Sequence, residues 1–203
     1  ITGGPVNNAG NLLKWFCQSM LNKELGVDSA SDEFFNLESP AGQPLFLPYI
    51  HGERAPVWDA EARGIFFGID SSHTIKDFQH SVGEAICYSL RQLVELSDAV
   101  HGRSEAIILS GGLSNSRNFT ALLATILNRD ITVLDDADAS AIGACILGWK
   151  ALGAIEKYEQ LIPKISQDDI VSSDSRFSLQ HDARFRIYEK LYAANVELMH
   201  EMV

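Results

Sequence analysis

Apolar and polar positions alternate along this chain with two distinct periods. Leu12, Phe16 and Met20 recur every fourth residue and predict a helix with one apolar face, from about Asn8 or Gly10 to Lys23. Pro5 and the Gly3-Gly4 pair keep the preceding stretch out of the helix. Turn formers dominate from Ser31 to Pro56, with a short strand predicted over Pro44 to Ile50. Gly64 to Ile69, rich in β-branched and aromatic residues, predicts another strand. Thr74 to Asp77 has the spacing of a capping box, with Asp in the usual place of Glu. Phe78, Val82, Ile86, Leu90 and Leu93-Val94 then mark one buried stripe of a long helix, closed by His101-Gly102.

Strands and helices alternate after that. Ala106 to Leu109 is an unbroken apolar run and predicts a strand covered on both faces. Asn118 to Asn128 predicts a helix with Phe119, Leu122, Leu123 and Ile126 inward, and Ile131 to Leu134 a further strand. Asp138 to Leu152 predicts a helix crowded with Ala, Ser and Gly, where small side chains allow a backbone or ligand to come close. A last amphipathic helix, His181 to Met202, is expected to bury Phe185, Tyr188, Tyr192, Val196 and Met199. The pattern is that of an α/β domain with layers around one core.

Composition narrows the function classes. The chain has 203 residues, enough for one domain with a sizeable core. No apolar run reaches bilayer length, so no membrane partner is expected. The first residues hold neither an initiator Met nor a secretory signal, and read as a start within a longer protein. A formal net charge of -11 argues against nucleic acid, but not against a nucleotide, whose phosphates are commonly held by backbone amides. The three cysteines, Cys17, Cys87 and Cys145, lie far apart and read as buried or partly buried thiols of a reducing cytoplasm. The six histidines lack ligand spacing, so no metal site is expected.

Three segments carry candidate chemistry. Gly111-Gly112 follows a strand at the end where open α/β sheets bind ligands, and Ser114, Asn115 and Ser116 lead into the next helix. A ligand ledge and a plain strand-to-helix turn, with Ser116 as cap, fit the spacing equally. The turn from Gly3 to Gly10, with Lys14 one turn into the helix, could set amides near phosphate. On these residues alone a cap followed by a solvated lysine is the better reading. His51 to Asp59 followed by Ala62-Arg63-Gly64 reads as a cleft-lining loop or as a salt-bridged structural one. Asp135, Asp136 and Asp138 open a helix, where acids serve as caps. No Ser-His-Asp or Cys-His arrangement stands out, and no catalytic residue is assigned.

These blocks, in this order, resemble the FGGY carbohydrate kinases. Gly52-Glu53-Arg54-Ala55-Pro56-Val57-Trp58-Asp59 with Ala62-Arg63-Gly64 resembles one family block. Gly64 to Ile69, Asp77-Phe78 and Ser81-Val82-Gly83-Glu84 resemble the family's C-terminal signature, with Gly83 a departure where a larger apolar residue is usual. Ser110 to Ser116 resembles the adenosine loop, Asp138 to Ala144 the helix after it, and Ala9 to Trp15 a nucleotide-contacting helix. The resemblance is strongest to the gluconate and xylulose branches.

The resemblance implies an actin-like, ribonuclease-H-like ATPase domain, a mixed sheet flanked by helices, spanning residues 1–203 as the C-terminal ATP-binding domain. It implies ATP with Mg2+ as cofactors, Gly10 and Lys14 near the nucleotide, and Gly111, Gly112, Asn115 and Ser116 around adenosine and the α-phosphate. No Asp-x-Gly-Thr phosphate loop is found, so the sugar-binding lobe with its base is expected to be missing and the chain inactive alone. A homodimer is compatible with the apolar face such a division would leave. The competing readings are a non-enzymatic nucleotide-binding or interaction module of the same superfamily, and an α/β domain without a ligand.

Overall fold

The computed structural model describes residues 4–23, 32–35, 37, 42–134, 139–158, 161 and 166–202. Its longest buried run lies in the second helix, α2 (Ile75–His101), where every residue from 81 to 89 is buried. Thr74 starts it. The Asp77 carboxylate accepts hydrogen bonds from Thr74 N and Thr74 Oγ1, each at 2.7 Å. Gly102 ends it at φ 83, the left-handed region that favours glycine.

Around α2 lie α1 (Gly10–Met20), α3 (Arg117–Leu127) and α5 (Ser175–Glu201). In α1, Leu12 and Phe16 are buried as their spacing predicts, but Met20 is 51% exposed and lines a cleft instead. In α3 the four predicted inward residues are all buried. Helix α5 begins six residues earlier than its apolar stripe suggests. Asp174 caps it there, its carboxylate accepting from Arg176 N at 3.0 Å. Its Phe185 and Tyr188 pack on Tyr88 of α2, with ring centroids 5.7 and 5.4 Å away.

Among the described residues there are two small sheets. β1 (Leu45–Leu47) and β2 (Ile65–Phe67) pair antiparallel, Phe46 opposite Phe66, and those rings stack at 4.1 Å. β3 (Ile108–Leu109), β4 (Ile131–Val133) and β5 (Ile170–Val171) form a mixed sheet in that order, with β3–β4 parallel and β4–β5 antiparallel. Here one expectation fails. The run Ala106 to Leu109 yields only a two-residue strand at the sheet edge, and Ile108 is 56% exposed. At least the face that carries Ile108 is therefore open to water.

The small-residue helix α4 (Ala139–Ala151) contains no buried residue among those described. Nothing within 4 Å would meet a Cβ added at Gly143 or Gly148. The expected close approach of backbone is therefore absent within the described chain. The predicted start of this helix, with Asp135, Asp136 and Asp138, lies outside the described residues, as does Gly3.

Candidate functional site

The strand-turn-helix at β3 and α3 is built by its small residues. Gly111 adopts φ 109, which only glycine takes without strain. Its carbonyl accepts from Ser114 N at 3.0 Å and from Ser114 Oγ at 2.6 Å, closing a single 3-10 turn over Gly112–Asn115. Ser116 caps α3, accepting from Phe119 N at 3.1 Å, and donates its hydroxyl proton to Asp32. Its side chain is buried and already engaged within the protein. Gly112 and Asn115 are exposed. A Cβ added at Gly111 or Gly112 would meet nothing within 4 Å. The floor of this turn is bare.

The second predicted segment is held by Glu53. Its buried carboxylate accepts from Asn7 N at 2.7 Å, Arg54 N at 2.8 Å and Asn8 Nδ2 at 3.1 Å. Ala55 N also donates to Pro5 O at 3.0 Å. This fastens the turn before α1 to the loop over His51 to Asp59. Downstream of it, Gly10 and Lys14 are exposed, with open space at Gly10 and no ion pair to Lys14 among the described residues. No side chain caps α1.

Of the two readings of the loop from His51 to Asp59, the structural one describes its contacts better. Glu53 and Asp59 exchange backbone bonds of 2.8 and 2.9 Å. Gly52 sits at φ +64, with Ala60 O only 2.7 Å from where a Cβ would be. Asp59 Oδ2 accepts from Tyr192 Oη and meets His200 Nε2, both at 2.8 Å, which ties the loop to α5. Burial pushes the Asp59 carboxyl up, but these bonds and one from Glu61 N bring it below its ordinary value. Arg54 and Arg63 form no ion pair among the described residues; Arg63 Nη1 donates to Ala62 O at 3.0 Å.

A buried polar cluster was not foreseen from the sequence. Glu84 Oε2 accepts from Arg184 Nη2 at 2.7 Å, and Oε1 from Gln43 Nε2 at 2.9 Å. His181 Nδ1 meets Tyr88 Oη at 3.0 Å. Burial, reinforced by Arg184 and Arg91, lowers the His181 pKa to about 4. Burial raises that of Glu84 despite its arginine partner. The cluster bolts α5 to α2 and lies apart from the six predicted residues.

An apolar cleft beside α1 and α5 holds none of those six either. It has a volume of about 490 Å3 and is apolar, lined by Trp15, Phe46, Phe66 and Arg63 together with Met20, Met199 and Met202, which are all the methionines of the chain.

The mixed β3–β4–β5 sheet with its flanking helices and the glycine turn after β3 form an α/β domain, with the actin-like ATPase fold of the solved kinases that it superposes on. The sequence model for the FGGY family of carbohydrate kinases, C-terminal domain, matches residues 2–152. This chain belongs to that family. It is 31% identical over 169 residues to the gluconokinase of Bacillus subtilis (strain 168), covering 78% of this chain and 33% of that protein. It is 30% identical over 205 residues to a xylulose kinase of Staphylococcus epidermidis, covering 98% and 40%. The crystal structure of ligand-bound xylulose kinase from Lactobacillus acidophilus superposes with a TM-score of 0.82 at 25% identity, covering 98% of this chain and 41% of that one. The chain thus spans a third to two fifths of the length of these relatives.

Proposed function

We propose that this chain is the ATP-binding lobe of a sugar or sugar-acid kinase of the gluconate or xylulose type. In the complete enzyme the γ-phosphate of ATP passes to a sugar hydroxyl, and a second lobe supplies the sugar contacts and the base. Gly111 and Gly112 take the flat face of adenosine, with Asn115 and the Ser116 region beside the α-phosphate. Gly10 and the uncapped first turn of α1, with Lys14, face the outer phosphates and offset the repulsion of an acidic chain. In the complete enzyme Mg2+ accompanies the triphosphate, whose oxygens and a few waters supply most of its ligands. The surroundings are cytoplasmic, in keeping with three unpaired thiols.

The observation that carries this reading is the open floor at Gly111 and Gly112, where no described atom lies within 4 Å of an added Cβ. Phosphoryl transfer needs charge stabilisation from both sides of the γ-phosphate, so one lobe binds but does not turn over. Titration calorimetry with ATP tests the first half. Binding to the wild type, lost in Gly112→Val with a melting temperature changed little, is expected, because the added Cβ meets no described atom and the side chain occupies the ledge. Binding that survives Gly112→Val would refute the ledge. A coupled assay for sugar-dependent ADP release tests the second half, and no turnover is expected from the chain alone.

A further inference from the structure

The family block around Glu53 has no assigned part in binding, yet its carboxylate is 3% exposed and faces no cation within ion-pair distance among the described residues. A buried carboxylate without a counter-ion is costly unless N–H donors surround it. Here three do, and two of them belong to the turn that delivers Gly10. Asn7 N and Asn8 Nδ2 both end on Glu53. Asn8 Nδ2 donates as well to Gly52 O at 2.9 Å. From Asn7 the connection continues: Asn11 Nδ2 donates to Asn7 O at 2.8 Å, and Asn11 Oδ1 accepts from Ala9 N at 2.9 Å. The peptide on either side of Gly10 is thereby referred back to one carboxylate. Asn8 itself is 1% exposed, and its Oδ1 has no hydrogen-bond partner. Such an orphaned acceptor beside the turn marks a spot where polar company is missing.

We infer that Glu53 is a positioning residue for the polyphosphate end of the nucleotide, acting through Asn7, Asn8 and Asn11 on the first turn of α1. This rests on the nucleotide-lobe reading above and adds to it a division of labour. The glycine ledge after β3 holds the nucleoside, and the Glu53-anchored turn holds the phosphates. The anchor is itself rigid, because Glu53 is locked to Asp59 on both backbone sides and Asp59 is locked to α5.

The test compares ATP and adenosine on the same protein. Wild type is expected to bind ATP more tightly than adenosine. Glu53→Gln keeps the shape but turns an amide toward N–H donors. ATP binding should fall on the order of ten- to a hundredfold, the cost of one charge-assisted hydrogen bond, while adenosine binding changes by less than about twofold. A purely structural role would weaken both ligands together. Asn11→Ala, at the exposed end of the connection and so safe for folding, should show the same phosphate-selective loss. Combined with Glu53→Gln it should add little, since coupled sites are not additive. If wild type prefers ATP and both variants keep that preference, or lose adenosine equally, the positioning role is overturned while the nucleotide lobe stands. If wild type binds neither ligand, both readings fall.

Discussion

Gly83 shows how a single position is written by a distant one. A Cβ there would lie 2.0 Å from Phe34 O, a backbone atom that cannot swing aside. Gly83→Leu should therefore destabilise the fold by about 3 kcal/mol or more, read as a lower urea midpoint at unchanged slope. The departure from the family pattern is legible in the sequence, but its cause is not, because nothing local announces that the carbonyl of Phe34 docks on α2. The Glu84 cluster is similar: Glu84 and Arg184 meet across 100 residues. His181 makes that cluster measurable. Its folded pKa of about 4 lies below the ordinary 6.5, so its contribution is fully present above pH 6.5 and is lost as pH falls toward 4. The stability difference between wild type and His181→Gln should shrink by about 3 kcal/mol between pH 7 and pH 4 in chemical denaturation. Glu84, shifted upward and 3.8 Å from His181 Nδ1, acts in the opposite sense, so the same comparison in a Glu84→Gln background isolates the imidazole.

Elements were read best where a period and a stop signal agree. Helix α2 has both, and its predicted start at Thr74 and end at Gly102 are the observed ones. Asp77→Ala removes the acceptor of two bonds and should cost about 1 kcal/mol in the same denaturation measurement. The apolar run at β3 misleads because hydrophobicity alone does not say whether both faces are covered or whether the strand lies at an edge. Met20 misleads for a related reason: its spacing is helical, but α1 ends there and the neighbouring surface is a cleft. Of the candidate site, the glycine turn was legible, since left-handed geometry demands a residue type. The role of Glu53 was not, because a carboxylate in a loop looks the same whether it faces water or three N–H groups.

At the scale of the molecule, the apolar surface is unevenly placed. Ile108 on β3 and Leu147, Trp149 and Leu152 on α4 or at its end are all exposed. Large apolar side chains left in water favour association. Sedimentation of the chain should show concentration-dependent self-association, and Leu147→Glu with Leu152→Glu should suppress it without lowering the melting temperature, as neither side chain is buried. A chain that stays monomeric at high concentration would show that these side chains are tolerated in water as they stand.

Gathering every thioether of the chain around one cleft has a chemical consequence. Sulfoxidation makes an apolar side chain polar, so thioether oxidation would concentrate its effect on one surface, separate from any oxidation of the exposed Cys145 thiol. The order of attack is set by access. Met202 and Met20, at 80% and 51% exposure, should gain oxygen early under peroxide. Met199, at 3% and with its sulfur accepting from Arg63 N at 3.4 Å, should gain it last, and peptide mass spectrometry over a time course would resolve the sequence.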